Sequence, residues 1–314
     1  MEGLKADAKN ENARKDSIYN MAKTVLITGA SGFTGGHVYT RARDVDCFGT
    51  YFTYAGKRYQ NWHHVDLADF DQVQNLIEAV NPEAVIHTAA DSNLDACEKH
   101  PHRAFRYNVQ ATTHLVKACQ GRSLRFIYLS TDMVFDGQGS LYKETDVCHP
   151  ISVYGRTKLQ AEGPVLELQN AVVVRSALIY GRPAISGTSF SVWLEDRLQK
   201  HQRVPLYHDQ FRSPICVNNL ADLLLELVDS EFTGILHLGG ADRIDRYTFG
   251  QKVCEICNYD ASLLDSVPMD SVTPVAPRPR DVSLDIRWAR EVLRGEILGI
   301  EEGLALMKRR GEGG

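Results

Sequence analysis

A phenol and an ammonium stand four residues apart in Tyr154-Gly155-Arg156-Thr157-Lys158, which puts both on one face of a helix, a turn apart. A free tyrosine, with a pKa of about 10, is a poor acid or base at neutral pH unless a nearby positive charge stabilises its phenolate. Lys158 offers that charge, so the pair suits proton transfer to or from an oxygen. Thr131, in Ser130-Thr131-Asp132 after a strand over 124–129, adds a hydroxyl that can hydrogen-bond a substrate carbonyl. Alone, a Tyr/Lys pair at this spacing is an ordinary solvated helix face. Its chemical reading depends on what precedes it.

What precedes it is a phosphate cradle. Thr24-Val25-Leu26-Ile27-Thr28 reads as a strand covered on both faces, and it runs directly into Gly29-Ala30-Ser31-Gly32-Phe33-Thr34-Gly35. Glycines three apart let Gly29 make a tight turn, Gly32 admit a pyrophosphate close to the main chain, and Gly35 lay the next helix against the strand. Ser31, Phe33 and Thr34 complete the loop, and the free N–H groups at the helix start hold negative charge.

The elements that position these groups alternate. A helix over 35–43 leads to a second strand over 46–52, which ends Gly49-Thr50-Tyr51-Phe52-Thr53 without the acid that selects NAD. With Lys57 and Arg58 following, this favours NADPH, NADH remaining a usable alternative. Asp66, beside Leu67, is placed to hydrogen-bond an adenine amino group, and Asp69 caps a helix over 70–80. A strand over 84–90 ends in Ala89 and Ala90, small enough to leave ligand room at its carboxyl end. Asn108 falls in a helix over 101–119 and faces the active centre or an ordinary interior partner.

This βα alternation predicts a Rossmann-type, doubly wound parallel sheet over 22–181. Beyond a strand over 171–180 the rhythm loosens into helices near 191–200, 219–229 and 247–258 with proline-containing loops. That predicts a smaller mixed α/β substrate lobe over 182–314, with a segment near 211–240 returning to the first unit and a short strand at 234–240. Residues 1–21 are polar and read as a disordered tail.

Of the 314 residues 43% are hydrophobic and 24% charged, with a net charge of −5, an ordinary soluble balance without a basic footprint for nucleic acid or an anionic membrane. No apolar run reaches the ~20 residues that span a bilayer and the start lacks a signal-peptide core, so the expectation is a cytoplasmic protein. Seven scattered cysteines do not make a disulfide framework. Cys254-x-x-Cys257 lies in a helical stretch with no second pair or nearby His, so it reads as core packing and no metal site is expected.

Together these motifs resemble an extended short-chain dehydrogenase/reductase, and within it the dTDP-4-dehydrorhamnose reductase family. The resemblance runs from about residue 23 to 308 through the glycine loop, Asp95, Cys97, Glu98 and Pro101, Asn108-Val109, and 130–137. It continues through Tyr154/Lys158, Arg212-Ser213-Pro214 and Arg278-Pro279-Arg280. It implies Thr131, Tyr154 and Lys158 as catalytic triad, Tyr154 and Lys158 also touching the cofactor, and Asn108 supporting a water or the lysine. It implies a nucleotide-activated 4-keto-6-deoxy sugar as substrate, with Asp132, Val134, Arg212, Arg278 and Arg280 facing it, and allows a homodimer. Family members often carry an aromatic where this chain has Leu178 and Asn where it has Ser152, and Gly163-Pro164 is expected to interrupt the helix bearing Lys158. The same motifs fit an epimerase or dehydratase with retained NAD, and an NAD(P)-binding regulatory subunit resembling that of methionine adenosyltransferase.

Overall fold

An unbroken apolar run such as Val25-Leu26-Ile27 has no side to offer to water. In the computed structural model, which describes residues 22–54, 56–57 and 59–309, these three are fully buried in the middle of a seven-stranded sheet. The expected tail over 1–21 lies outside the described residues, as does Arg58. In chain order the strands are β1 (Thr24–Thr28), β2 (Asp46–Tyr51), β3 (Trp62–His64), β4 (Ala84–His87), β5 (Arg125–Thr131), β6 (Ala171–Ser176) and a last strand, Gly234–Leu238. Spatially β3, β2, β1, β4, β5 and β6 lie side by side, Gly234–Leu238 follows β6, and every neighbour is parallel.

The strand order reverses between β1 and β4. Ligands of doubly wound sheets bind at the carboxyl ends of the strands flanking such a switch point. Helices cover both faces: Phe33–Arg41, Val217–Glu226 and Arg287–Val292 border one core, and Phe70–Val80, Ala111–Cys119 and Val153–Leu166 the other. A third cluster, built on Tyr180, Leu194, Leu206, Phe249 and Leu304, holds the remaining lobe. Besides the strand Gly234–Leu238, a second stretch returns to the sheet core through Val282, Leu284, Ile286, Leu293 and Ile297. We propose a division near 181/182 in which both stretches belong to the sheet unit. Among the described residues no helix is long and apolar enough to cross a membrane.

Several elements differ from expectation for local reasons. Strand β4 stops at His87, because residues 88–90 leave the ladder to line the switch point. The stretch 101–119 is helical throughout but contains a π turn over Arg106–Gln110, an insertion typical of functional sites. The helix Val153–Leu166 runs through Pro164 instead of ending before it. The proline removes only the hydrogen bond to the carbonyl of exposed Gln160, which can turn to water, and buried Val165 anchors the final turn.

That helix is pinned at both ends. Ser152 Oγ accepts the Gly155 N–H at 3.1 Å and the Glu98 carboxylate accepts the Val153 N–H at 2.9 Å, so two orphan donors of its first turn are satisfied. At the other end buried Glu162 accepts from Arg175 Nη2 at 2.8 Å and from Ser130 Oγ, fastening the helix to β6 and β5. Removing one partner of such a pair strands a buried charge. Arg175→Met is expected to cost about 3–5 kcal/mol, read as a fall in the urea midpoint, with part of it restored in the double variant that adds Glu162→Gln. An unchanged midpoint in Arg175→Met would show that the pair is not what fastens the helix.

Candidate active site

The glycine turn is built as its residue types require. Gly29 sits at φ +69°, where a Cβ would fall 2.9 Å from the Ala89 Cα, and its N–H donates to Thr50 Oγ1 at 3.1 Å. A Cβ on Gly35 would lie 2.2 Å from the Gly29 carbonyl oxygen, so only glycine lets the helix start this close to β1. A Cβ on Gly32 meets nothing but that same carbonyl at 3.2 Å; beyond it is open cleft. A cofactor pyrophosphate fits here, against the unpaired first N–H groups of the helix Phe33–Arg41.

The cleft measures about 930 Å³ and contains Gly29, Ser31, Gly32, Phe33, Thr34, Gly35, Asp66, Leu67, Ala89, Ala90, Thr131, Asp132, Tyr154, Lys158, Arg212 and Arg278. At its far end Asp66 receives Arg106 at 2.7 Å and the Ala68 N–H at 2.9 Å, while Phe52 and Tyr107, with ring centroids 6.1 Å apart, form an aromatic wall. No carboxylate follows β2, as expected. Lys57 instead lies over the Tyr59 ring at 5.9 Å and outside the cleft.

Three expected contacts are elsewhere. Val134 is fully buried in the core, because its short 3₁₀ turn directs Met133 to the cleft instead. Arg280 is held away by Asp209 and Asp270. Asn108 stands behind the cleft with its carboxamide committed: it accepts the Asp91 N–H at 2.8 Å and donates to the Asp91 carbonyl at 3.1 Å and to Thr157 Oγ1 at 3.0 Å. It joins the loop after β4 to the helix of Tyr154, a positioning role.

At the end of the cleft that holds Tyr154, Thr131 Oγ1 accepts the Met133 N–H at 3.2 Å and donates to Asp132 Oδ1 at 3.2 Å. Burial raises the Tyr154 pKa, partly opposed by Thr131 and reinforced by Asp132. The lowering expected from Lys158 is outweighed by burial of the phenol, and the lysine is itself desolvated. Its pKa is pushed down to about 7 by burial, opposed by Glu162, and its Nζ rests 4.1 Å over the Tyr128 ring. Below that ring His87 is stacked at 5.5 Å and satisfied on both nitrogens, by Thr28 Oγ1 at 2.6 Å and Thr112 Oγ1 at 2.9 Å; burial holds it neutral. Asp132 is pushed up to about 6 by burial, offset by Arg212, whose Nε lies 3.7 Å from Oδ2.

Sequence reasoning misses Arg103, Tyr107, Phe190, Gln210 and Arg246, all in the cleft wall. None sits in a motif, and only the tertiary fold gathers them. Leu178 does line the cleft, whereas Ser152 is buried as a helix cap.

The family model described as RmlD substrate binding domain matches residues 23–310. The chain is 33% identical over 289 residues to a probable low-salt glycan biosynthesis reductase of Haloferax volcanii, spanning 90% of this chain and 96% of that protein. It is 31% identical over 287 residues to the methionine adenosyltransferase 2 subunit beta of Bos taurus, spanning 88% and 83% respectively. Among solved structures it superposes on a hypothetical dTDP-4-dehydrorhamnose reductase from Sulfolobus tokodaii, with a TM-score of 0.79, 30% identity and coverage of 90% and 99%. The fold also matches a dTDP-4-dehydrorhamnose reductase from Bacillus anthracis in complex with NADP, with a TM-score of 0.83, 24% identity and coverage of 92% and 100%.

The depressed Lys158 sets a pH dependence. Between about 7 and the ordinary value of 10.5 the unfolded chain binds a proton that the folded chain lacks, so stability rises with pH across that window. In urea titrations at pH 7 and pH 9 the wild type should gain stability at the higher pH and Lys158→Met should gain less. Identical gains in the two proteins would mean that Lys158 is not desolvated as described.

Proposed function

Because the chain belongs to the RmlD substrate binding domain family, within the extended short-chain dehydrogenase/reductases, we propose that it is an NADPH-dependent reductase of a nucleotide-activated 4-keto-6-deoxy sugar. The observation that carries this reading is that Tyr154 and Lys158, with Thr131 at the carboxyl end of β5, line one cleft with the glycine turn. Bound dinucleotide would supply a hydride to the ketone carbon. Gly29, Ser31, Gly32, Phe33, Thr34 and Gly35 would hold its pyrophosphate, Asp66 and Leu67 its adenine, and Ala89 and Ala90 the space beside it. Burial keeps the proton on Tyr154 at neutral pH but weakens it as an acid, so proton donation would need positive charge brought beside the phenol, from Lys158 and from a bound nicotinamide. Thr131 would hold the substrate oxygen while Tyr154 protonates it, and Lys158 would fix the ribose. Asp132, Arg212 and Arg278 would face the sugar nucleotide. NADPH over NADH follows from Tyr51-Phe52-Thr53 after β2, where no carboxylate repels a 2′-phosphate. A cytoplasmic location belongs to the same reading.

A second reading, an NAD(P)-binding regulatory subunit, draws on the relative named as a methionine adenosyltransferase subunit. Calorimetric titration and NADPH oxidation with a panel of nucleotide-linked 4-keto sugars separate the two. NADPH should bind more tightly than NADH, and at least one keto sugar should be turned over. Tyr154→Phe should lower kcat/KM by about 10²–10⁴-fold while leaving NADPH affinity intact. Absence of turnover, with a stoichiometric protein partner recovered instead, favours the regulatory reading. NAD that survives purification favours an epimerase or dehydratase.

A further inference from the structure

The substrate end of the cleft is lined by three arginines, Arg212, Arg246 and Arg278, and they are not equivalent. Arg212 has Asp132 at 3.7 Å and gives Nη1 and Nη2 to the carbonyls of Phe211 and Pro279 at 2.6 and 3.2 Å. Arg278 reaches Asp95 at 3.0 Å. Arg246 has a neutral partner only: its Nε donates to Gln210 Oε1 at 3.0 Å, its guanidinium lies 4.6 Å over the Phe190 ring, and Nη1 is buried without a partner. Among the described residues it makes no ion pair.

Its position is fixed by backbone. Antiparallel pairing of Asp245 with Phe211 and of Ile244 with Arg212 sets Arg246 beside Gln210, and Asp245 caps the following helix through Thr248 N–H at 2.9 Å. The aromatic contact and the capped helix leave the side chain little freedom to seek water. Burial, the neighbouring Arg212 and Arg278 oppose its charge, which Asp132 and Tyr207 favour without either making an ion pair or hydrogen bond to it among the described residues. A desolvated cation without a directly bonded counter-charge is costly, and a planar fork with a spare donor matches an oxyanion.

We propose that Arg246 is a specificity-determining residue that binds an oxyanion of the substrate, a phosphate or a carboxylate, at the catalytic end of the cleft. The inference rests on the reading of the cleft as a nucleotide-sugar site, and it assigns a role that no motif in the sequence marks. A diphosphate bridge and a sugar carboxylate are the two sources of that oxyanion.

Calorimetric titration of the wild type and Arg246→Gln with inorganic pyrophosphate, UDP-glucose and UDP-glucuronic acid distinguishes them. The variant should bind at least one probe about 10–100-fold more weakly, the worth of a charge-assisted hydrogen bond, at unchanged NADPH affinity. Weakening of all three assigns Arg246 to the diphosphate; weakening of UDP-glucuronic acid alone assigns it to a sugar carboxylate. Equal affinities in both proteins, or no binding of any probe to the wild type, overturns the proposal. If Arg246→Gln loses NADPH affinity and so reports misfolding, Arg246→Lys decides: loss of the fork should weaken binding about 3–10-fold, and unchanged affinity overturns the proposal. Arginine-dependent binding without turnover on any keto sugar would sink the reductase reading and leave this one standing.

Discussion

The chemistry of the cleft depends on how closely the helix Val153–Leu166 approaches the end of β5. A Cβ at position 155 would lie 2.2 Å from the Met133 carbonyl oxygen, so the glycine after Tyr154 is a condition of contact and not a flexible joint. Because Met133 also donates its N–H to Thr131 Oγ1, the same turn that receives Gly155 orients the threonine hydroxyl. Tyr154 is thus brought to the end of β5 by backbone contacts on either side of the turn 132–134. The remaining fastenings act on the helix too: Ser152 and Glu98 on its first turn, Asn108 on Thr157, Arg175 on Glu162.

The same packing divides the charges. Tyr154, Lys158 and Glu162 follow one another at four-residue spacing, so all three look inward. Glu162, deepest along the helix, has a full set of partners; Lys158 and the phenol, nearer the cleft, have few and are shifted toward neutrality by burial. Asp132 across the cleft moves the same way. Compensation of charge therefore lies on the side that holds the helix, whereas at the cleft Lys158 and Asp132 stand near their titration points and Tyr154 is held protonated.

How much of this the sequence discloses depends on the distance over which each signal acts. The glycine turn, the alternation of strands with helices, and the Tyr154/Lys158 pair are short-range patterns, and each recurs in the structure where its spacing puts it. Asn108 escapes because its role is a bond to Thr157, and Arg280 because Asp209 captures it; neither partner is adjacent in the chain. Val134 escapes because a single 3₁₀ turn exchanges which neighbour faces the cleft. The direction of the Tyr154 shift is misread for a different reason. Spacing reveals that a lysine is near a tyrosine but not that both are out of water, and desolvation is the larger contribution.

Identities of 33% to a reductase and 31% to a subunit named for another enzyme are too close for overall likeness to separate the two classes. The glycine turn and the Tyr154 helix, buried against the central sheet, are costly to alter without losing the fold. The opposite wall is different. Leu178, Phe190, Gln210, Arg212 and Arg246 come from loops, helix starts and strands of two residues outside the central sheet. Such segments can change side chains at small cost to the sheet, as loops on rigid scaffolds do. That wall is therefore where chains of one fold can diverge in ligand, and Arg246, which makes no ion pair among the described residues, stands in it.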